Sequence, residues 1–474
     1  MMGIFSRSRS TPRIYLFFIA ILLKIIASLL SGAGFVLDNG IFYVCATVVW
    51  IGFLAVILAV ASPPVDAFLR ERWRWLKPVA LTIAVVFSIV GLVVLVMSST
   101  VGLESVDADR PEGELSRLLT SLDNVYGYND ATALSHQAAE NLLAGKNPYA
   151  ESNVVSAMIE FNGMKDKLTP LRLGRFASIF PYPSANQLEQ LWQEASQTPD
   201  VVPPELESKF NYPAGSFLLP APFIWLGIGD IRFVFLILAV PALVYVILKV
   251  PGKYRLFFIM ALVASVELWN SLAGGETGFL YFPFLLLAWV LFRRNLWVSA
   301  MFMAIAVSTK QITWFLLPFY LVVIFRTMGW RRLLGAAGIV LGIFAAANVW
   351  FFFADPELWF SSIFAPVGGK MFPLGVGLIT IVTSGLVTME SPLIFSIMEF
   401  GVFGLALIWY WFNCRRYPDT APLLSVLPLF FGWRSLWGYF YYIDIIVLAA
   451  VLINEYGRQN SDRLDVAPAL TSTR

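Results

Sequence analysis

Runs of about twenty apolar residues, repeated along most of the chain, restrict its fold more than any other feature of the sequence. The first is IYLFFIAILLKIIASLLSGAGF, beginning at Ile14. A run of about 20 such residues is what a helix needs to cross the hydrocarbon of a bilayer. No water is present there to meet stray backbone groups, so the segments must be helical. Runs at 14–36, 41–62, 78–99, 231–249, 255–272, 276–292, 295–309, 312–327, 332–353, 392–413, 421–434 and 437–454 predict twelve spans. Composition agrees: 58% of residues are hydrophobic and 14% charged, with a mean hydropathy of +0.73, where a soluble domain carries about 25% charge. The net charge of +2 offers no basic excess for a nucleic acid. Cys45 and Cys414 fall in or beside predicted spans, so no disulfide framework is implied. The basic SRSRSTPR followed by a long run, with no Ala-x-Ala site after it, reads as a retained anchor helix and not a signal peptide.

Two further apolar stretches, 212–229 and 373–388, are interrupted by proline and glycine. Charge decides how to treat them. If both only dip into the membrane, the basic connections at 1–13, 63–77, 249–255, 293–294, 326–332 and 414–416 and the tail after 454 all face one side. Those segments hold more than half of the 33 lysines and arginines. Counting either stretch as a span would turn a basic loop outward, so the positive-inside rule favours re-entrant segments and both termini in the cytoplasm. The expected fold is an all-α polytopic membrane bundle of about 12 transmembrane helices, with a large helical extracytoplasmic loop and two re-entrant segments. Its expected parts are 1–99 (three helices), 100–230 (the loop and the first re-entrant segment), 231–454 (helices 4–12) and a cytoplasmic tail, 455–474.

The loop at about 100–211 holds 16 acidic and 8 basic residues and the chain's single histidine, His136. Its most informative stretch is NDATALSHQAAENLLAGKNPYA, 129–150. Helix formers run from Ala131 to Ala144, Gly145 can close the helix and Pro148 prevents its continuation. Asp130 at the start reads either as an N-cap or as a carboxylate fixed at the mouth of a membrane site, and the two readings are compatible. His136 reads as a packing residue, a helper base or a phosphate contact. Later come NYPAGSFLLPAPF (211–223), GGETGF (274–279), STKQITWFLLPF (308–319) and FGWRSLWGYFYYID (431–444). Lys310 and Arg434 lie on the outer side, against the charge rule. Each reads as an interfacial residue, Lys310 snorkelling and Arg434 within an aromatic belt, or as a cation for a lipid phosphate. Lys24, Glu267 and Asp444 fall inside spans, where an ionisable group costs about 2.5–3.5 kcal/mol on insertion scales, so each is a functional candidate. No Walker loop and no His/Cys cluster is present, which argues against ATP-driven pumping.

Three of these motifs, in this order, resemble the GT-C glycosyltransferases, multispanning enzymes that use polyprenyl-phosphate sugars. They are the acidic residue before a helix ending in LLAGKNPY (130–149), the Tyr-Pro segment with its apolar run (211–223), and the Lys-Gln followed by Leu-Pro-Phe (310–319). The likeness covers roughly 78–454 and is to bacterial and archaeal, mannosyltransferase-like members; the first two helices look like an addition. The resemblance implies sugar transfer from a polyprenyl-phosphate donor to a glycan, lipid or protein hydroxyl outside the cell membrane, with inversion. It implies a catalytic carboxylate in the first large loop. Asp130 matches it, Asp123 is the runner-up, and Asp107 and Asp109 lie nearer the membrane. His136 stands where relatives often carry a second acid, which leaves the use of a divalent cation open; no metal ligand is assigned. Lys310, Arg434, Arg232 and His136 are the expected donor-phosphate ligands, and Asn147, Tyr149, Tyr212 and Gln311 the expected substrate contacts. A polytopic transporter or lipid flippase is the alternative from another class, and a non-catalytic envelope scaffold a third.

Overall fold

The computed structural model describes residues 12–37, 39–104, 128–367 and 370–466. It is helical almost throughout. The N-terminal helices α1 (Leu16–Val36) and α2 (Gly40–Ala61) pack on each other as a hairpin. The next helix, α3 (Val65–Glu104), runs for 40 residues through Pro78. At 1.5 Å per residue that is about 60 Å, twice a hydrocarbon core, so its basic first turns extend beyond the apolar part.

The loop head follows. Helices α4 (Asp130–Leu143), α5 (Val154–Glu160) and α6 (Ala185–Gln197) pack in series, with a long connection over 161–184 between the last two. The close of α4 is as read from sequence. Gly145 has φ +74°, and the amides of Gly145 and Lys146 bond the carbonyls of Leu142 and Asn141 at 3.0 and 2.8 Å. This is a Schellman end, which needs a left-handed residue.

The remaining membrane helices are α7 (Ile231–Lys249), α8 (Gly252–Ala264), α9 (Val266–Ala273), α10 (Phe282–Leu291), α11 (Leu296–Thr309), α12 (Leu316–Met328), α13 (Trp330–Ala354), α14 (Leu393–Asn413) and α15 (Ile443–Val466). Among the described residues, 8 helices are long and apolar enough to cross a membrane, or 9 if the bent pair α8–α9 is one span. The chain is a multi-pass membrane protein, and among the described residues the unbroken candidate spans number fewer than the twelve expected. The difference lies in breaks that hydropathy does not register. The run 276–292 is helical in regular form only over ten residues, which follow a 3-10 turn and carry Pro283 in their first turn. The run 421–434 is cut by Pro428 into shorter pieces. The run 255–272 bends by 52° at Ser265.

A broken helix frees carbonyls that the bilayer cannot hydrate. At two breaks the same device meets them. The Trp269 indole donates to the Leu262 carbonyl at 2.9 Å across the α8–α9 bend, and the Trp314 indole to the Val307 carbonyl at 2.9 Å beyond the end of α11.

Both doubtful stretches are too broken to span. Residues 212–229 form two short helices, Gly215–Leu218 and Ala221–Trp225. Residues 373–388 form a two-residue strand, β1 (Leu374–Gly375), and one turn, Thr380–Thr383. Strand β1 pairs in parallel with β2 (Arg434–Ser435). Gly375 is obligatory there: its φ is +138°, and a Cβ would lie 2.1 Å from the Ser435 carbonyl oxygen.

The three charges inside the spans gather at one place. Lys24 Nζ lies 2.7 Å from Asp444 Oδ2 and donates to the Tyr441 carbonyl at 3.0 Å. Glu267 accepts from the Ser28 hydroxyl and feels both Lys24 and Asp444. Pairing is therefore the account of Lys24, whose partner is 420 residues away in sequence.

Candidate active site

Helix α4 is capped by Asn129, whose Oδ1 accepts from the Thr132 amide at 2.8 Å. Asp130 is thus the first helical residue and not the cap. One of its oxygens takes the Ala131 amide at 2.7 Å, and Thr169 hydrogen-bonds the carboxylate from across the loop head. Capping is done by a neighbour, which leaves the Asp130 carboxylate to face outward from the helix start.

What it faces is a cluster of charges and phenols drawn from distant parts of the chain. Lys310 and Arg434 both act on the Asp130 carboxylate. Lys310 follows α11 in an extended conformation, φ −151° and ψ 139°, that turns its side chain out of the helix. Its Nζ bonds the Thr277 hydroxyl and lies 4.5 Å from the centroid of the Tyr212 ring. Arg434 is presented by β2. Its Nη1 is buried with no hydrogen-bond partner among the described residues. A buried guanidinium N–H left open is costly, and it is the donor an anionic ligand would meet.

Two more carboxylates complete the cluster. Glu276 feels Lys310, Lys167 and Asp130 and bonds the Asn129 side chain. Glu207 feels Asp130, Arg434 and Lys370 and bonds Asn211. Tyr182, Tyr212 and Tyr439 stand among them, each acted on by Arg434. Asp130 is the common neighbour, acting on Lys310, Glu207, Glu276, Tyr182 and Tyr212. All of these side chains are half-buried, as groups lining a recess are.

The electrostatics follow from desolvation. Burial raises the Asp130, Glu207 and Glu276 carboxyls above the usual carboxylate range, with the cations pulling the other way. Burial lowers the Lys310 amine to about 8, against the pull of Glu276 and Asp130. Tyr182 is pushed up to about 12 by burial, so it stays a neutral phenol. Among the described residues no group of three or more His, Cys, Asp or Glu side chains is arranged to hold a metal ion.

The structure divides the expected phosphate ligands. Lys310 and Arg434 converge on Asp130. Arg232 and His136 belong to a second, closed cluster. Arg232 clasps Asp230 through Nε at 2.9 Å and Nη2 at 2.6 Å, and its Nη1 donates to the Ala273 carbonyl at 3.1 Å. The Tyr128 hydroxyl donates to Asp230 at 2.9 Å and receives the Ile231 amide at 2.7 Å. His136 is buried, stacked on Phe161 with centroids 4.0 Å apart, and burial lowers it to about 4, so it is neutral at pH 7. Sequence spacing could not separate the two clusters, because His136 is only six residues beyond Asp130 and points from another face of the same helix.

The expected substrate contacts divide as well. Tyr212 lies in the cluster. Tyr149 is buried, and its hydroxyl donates to the Tyr212 carbonyl at 2.9 Å. Asn147 caps the short helix Pro148–Glu151 that carries Tyr149, accepting the Tyr149 amide at 3.1 Å. Gln311 donates to the carbonyls of Asn211 and Ile363 at 2.6 and 3.0 Å. These three hold the Tyr-Pro segment in place, where direct contact had been expected. Asp107, Asp109 and Asp123 lie outside the described residues. Sequence reasoning had no role for Glu207, Tyr182 or Tyr439. Glu276 sits in the GGETGF stretch it did single out.

Residues 210–437 match the model of glycosyltransferase family 87. Neither a curated protein nor a solved structure matches the chain. The matched segment carries Lys310, Arg434, Tyr212 and Glu276 but not Asp130, which the fold brings to them. The match, over just under half of the chain, is to a family of membrane glycosyltransferases of the GT-C type, and it supports the enzyme reading over the transporter one.

Proposed function

We propose that the chain transfers one sugar from a polyprenyl-phosphate donor to an acceptor hydroxyl on the extracytoplasmic face of the cell membrane, with inversion at the anomeric carbon. The observation that carries this reading is the convergence of one desolvated carboxylate, Asp130, with two cations, Lys310 and Arg434, from separate late segments of the chain. Asp130 takes the acceptor proton as the acceptor oxygen bonds to the anomeric carbon. The bond from that carbon to the phosphate oxygen breaks on the opposite face, and the polyprenyl phosphate leaves with the electron pair. A raised carboxyl is the better base for this, since its proton affinity lies closer to the working pH. The leaving phosphate is a weak base and needs positive charge more than an acid. Lys310 and the open Nη1 of Arg434 supply that charge in a site where few waters compete. Glu276 and Thr277 orient the ammonium.

The orientation by charge puts both termini and the 455–474 tail in the cytoplasm and the loop head outside, with the prenyl chain in the bilayer beside helices 231–454. The segments 1–99, 100–230 and 231–454 then serve as anchor, head and donor-binding bundle.

The test is reconstitution of the purified chain with synthetic polyprenyl-phosphate sugars on one side and sugar nucleotides on the other. Transfer is expected from the lipid-linked donors alone, with a product of inverted configuration by NMR. Transfer from a nucleotide sugar alone would remove the donor assignment, and retained configuration would remove the single displacement.

A further inference from the structure

The α1–α2 hairpin lies outside the matched segment 210–437, and a membrane anchor would be its plainest use. Its contacts are more specific. Thr47, on α2, places Oγ1 2.9 Å from the Val376 carbonyl, 3.3 Å from that of Gly377 and 2.6 Å from the Thr380 hydroxyl. Gly40 lets α2 begin against Ser384, where a Cβ would come 2.5 Å from the carbonyl oxygen. The strip that Thr47 holds is the one that pairs with Arg434: Leu374 N bonds Trp433 O at 3.3 Å, Val376 N bonds Ser435 O at 2.8 Å and Leu378 N bonds Phe430 O at 2.9 Å. At the far end of the same segment, Lys24 on α1 holds the Tyr441 carbonyl and Asp444, and Trp50 on α2 packs on Phe440 with centroids 5.8 Å apart.

We infer that the N-terminal hairpin is a positioning device for Arg434, bracing its backbone from both ends through Thr47 and Lys24. The reason such a brace matters is the state of the guanidinium. With Nη1 unpartnered, it is aimed in large part by the backbone of 433–436. A lysine in the middle of an apolar helix is also a costly way to make a mere anchor. The inference rests on the reading of Arg434 as a donor-phosphate ligand, and acts through that residue alone.

The test uses the full chain in detergent or nanodiscs. Thr47→Val keeps the side-chain shape and removes the hydroxyl; Thr47→Ser restores it; Lys24→Met removes the ammonium. Hydrogen exchange is expected to speed at least tenfold over 374–378 and 433–436 in Thr47→Val, with the loop head unchanged and wild-type protection in Thr47→Ser. The kcat/KM for a synthetic polyprenyl-phosphate sugar is expected to fall about tenfold in Thr47→Val and to return to the wild-type value in Thr47→Ser. In an Arg434→Ala background, Thr47→Val should add nothing. Unchanged exchange in those segments, or a Thr47→Val penalty that persists in full without the Arg434 side chain, would overturn the inference even if Lys24→Met fails to fold. An Arg434→Ala enzyme with unaltered donor KM would count instead against the phosphate reading, and the exchange data would then decide the brace by themselves.

Discussion

Two clusters of charge lie side by side at the top of this bundle, and they are built on opposite principles. Around Asp230 the charges are paired with one another: Arg232 clasps the carboxylate and Tyr128 bridges it to the start of α7, while His136 is neutral in its stack, its Nε2 without a hydrogen-bond partner among the described residues. Around Asp130 the charges outnumber their bonds. Three carboxylates face two cations, and Arg434 keeps an N–H in reserve. A closed cluster spends its charge on holding the loop head to α7; an open one keeps charge available for a ligand. The lesson is that polarity near a site is a weak guide to function, and a charged group left with an open donor a better one.

That contrast can be broken in three ways, taken from the largest effect down. Asp130→Asn is expected to lower kcat by about 10²–10⁴-fold with thermal stability and donor binding retained, measured by steady-state kinetics beside a melting curve. An active Asn variant would move the base elsewhere, Glu207 and Glu276 being next to hand. The second concerns pH. The Lys310 amine, lowered to about 8 by burial, is charged below that value and neutral above it, so the stabilising charge is lost as pH rises. Above about pH 8 the rate should fall by up to tenfold per pH unit, giving an alkaline limb in kcat/KM that Lys310→Arg abolishes because a guanidinium stays charged. An alkaline limb that survives in the Arg variant would assign it to another group. Third and smallest, Arg232→Ala should lower the melting temperature by several degrees and leave the donor KM within twofold, since it unpairs Asp230 rather than a ligand. A donor KM that rises tenfold would place Arg232 in the open cluster after all.

Much of the open cluster was legible in the sequence. Asp130 could be found because a helix start and a glycine stop frame it, and Lys310 and Arg434 because cations on the outer side of a span need a reason. The apolar runs announced a membrane protein. What the sequence could not convey was which polar groups satisfy one another. The Lys24–Asp444 pair, the clasp of Arg232 on Asp230 and the capping of α4 by Asn129 instead of Asp130 are all matters of direction, and a one-dimensional pattern carries none. The same limit explains the count of spans. Hydropathy sums residue types across Ser265 and Pro428, where the backbone turns aside.

The two indoles that cross helix breaks have a consequence for the chemistry as well as for the fold. A carbonyl exposed at such a break recruits water unless the protein supplies a donor, and the break after α11 adjoins Lys310. With Trp314 occupying that carbonyl, the peptide chain can swerve beside the glycosyl phosphate of the proposed reaction without bringing in the one nucleophile that would waste it by hydrolysis.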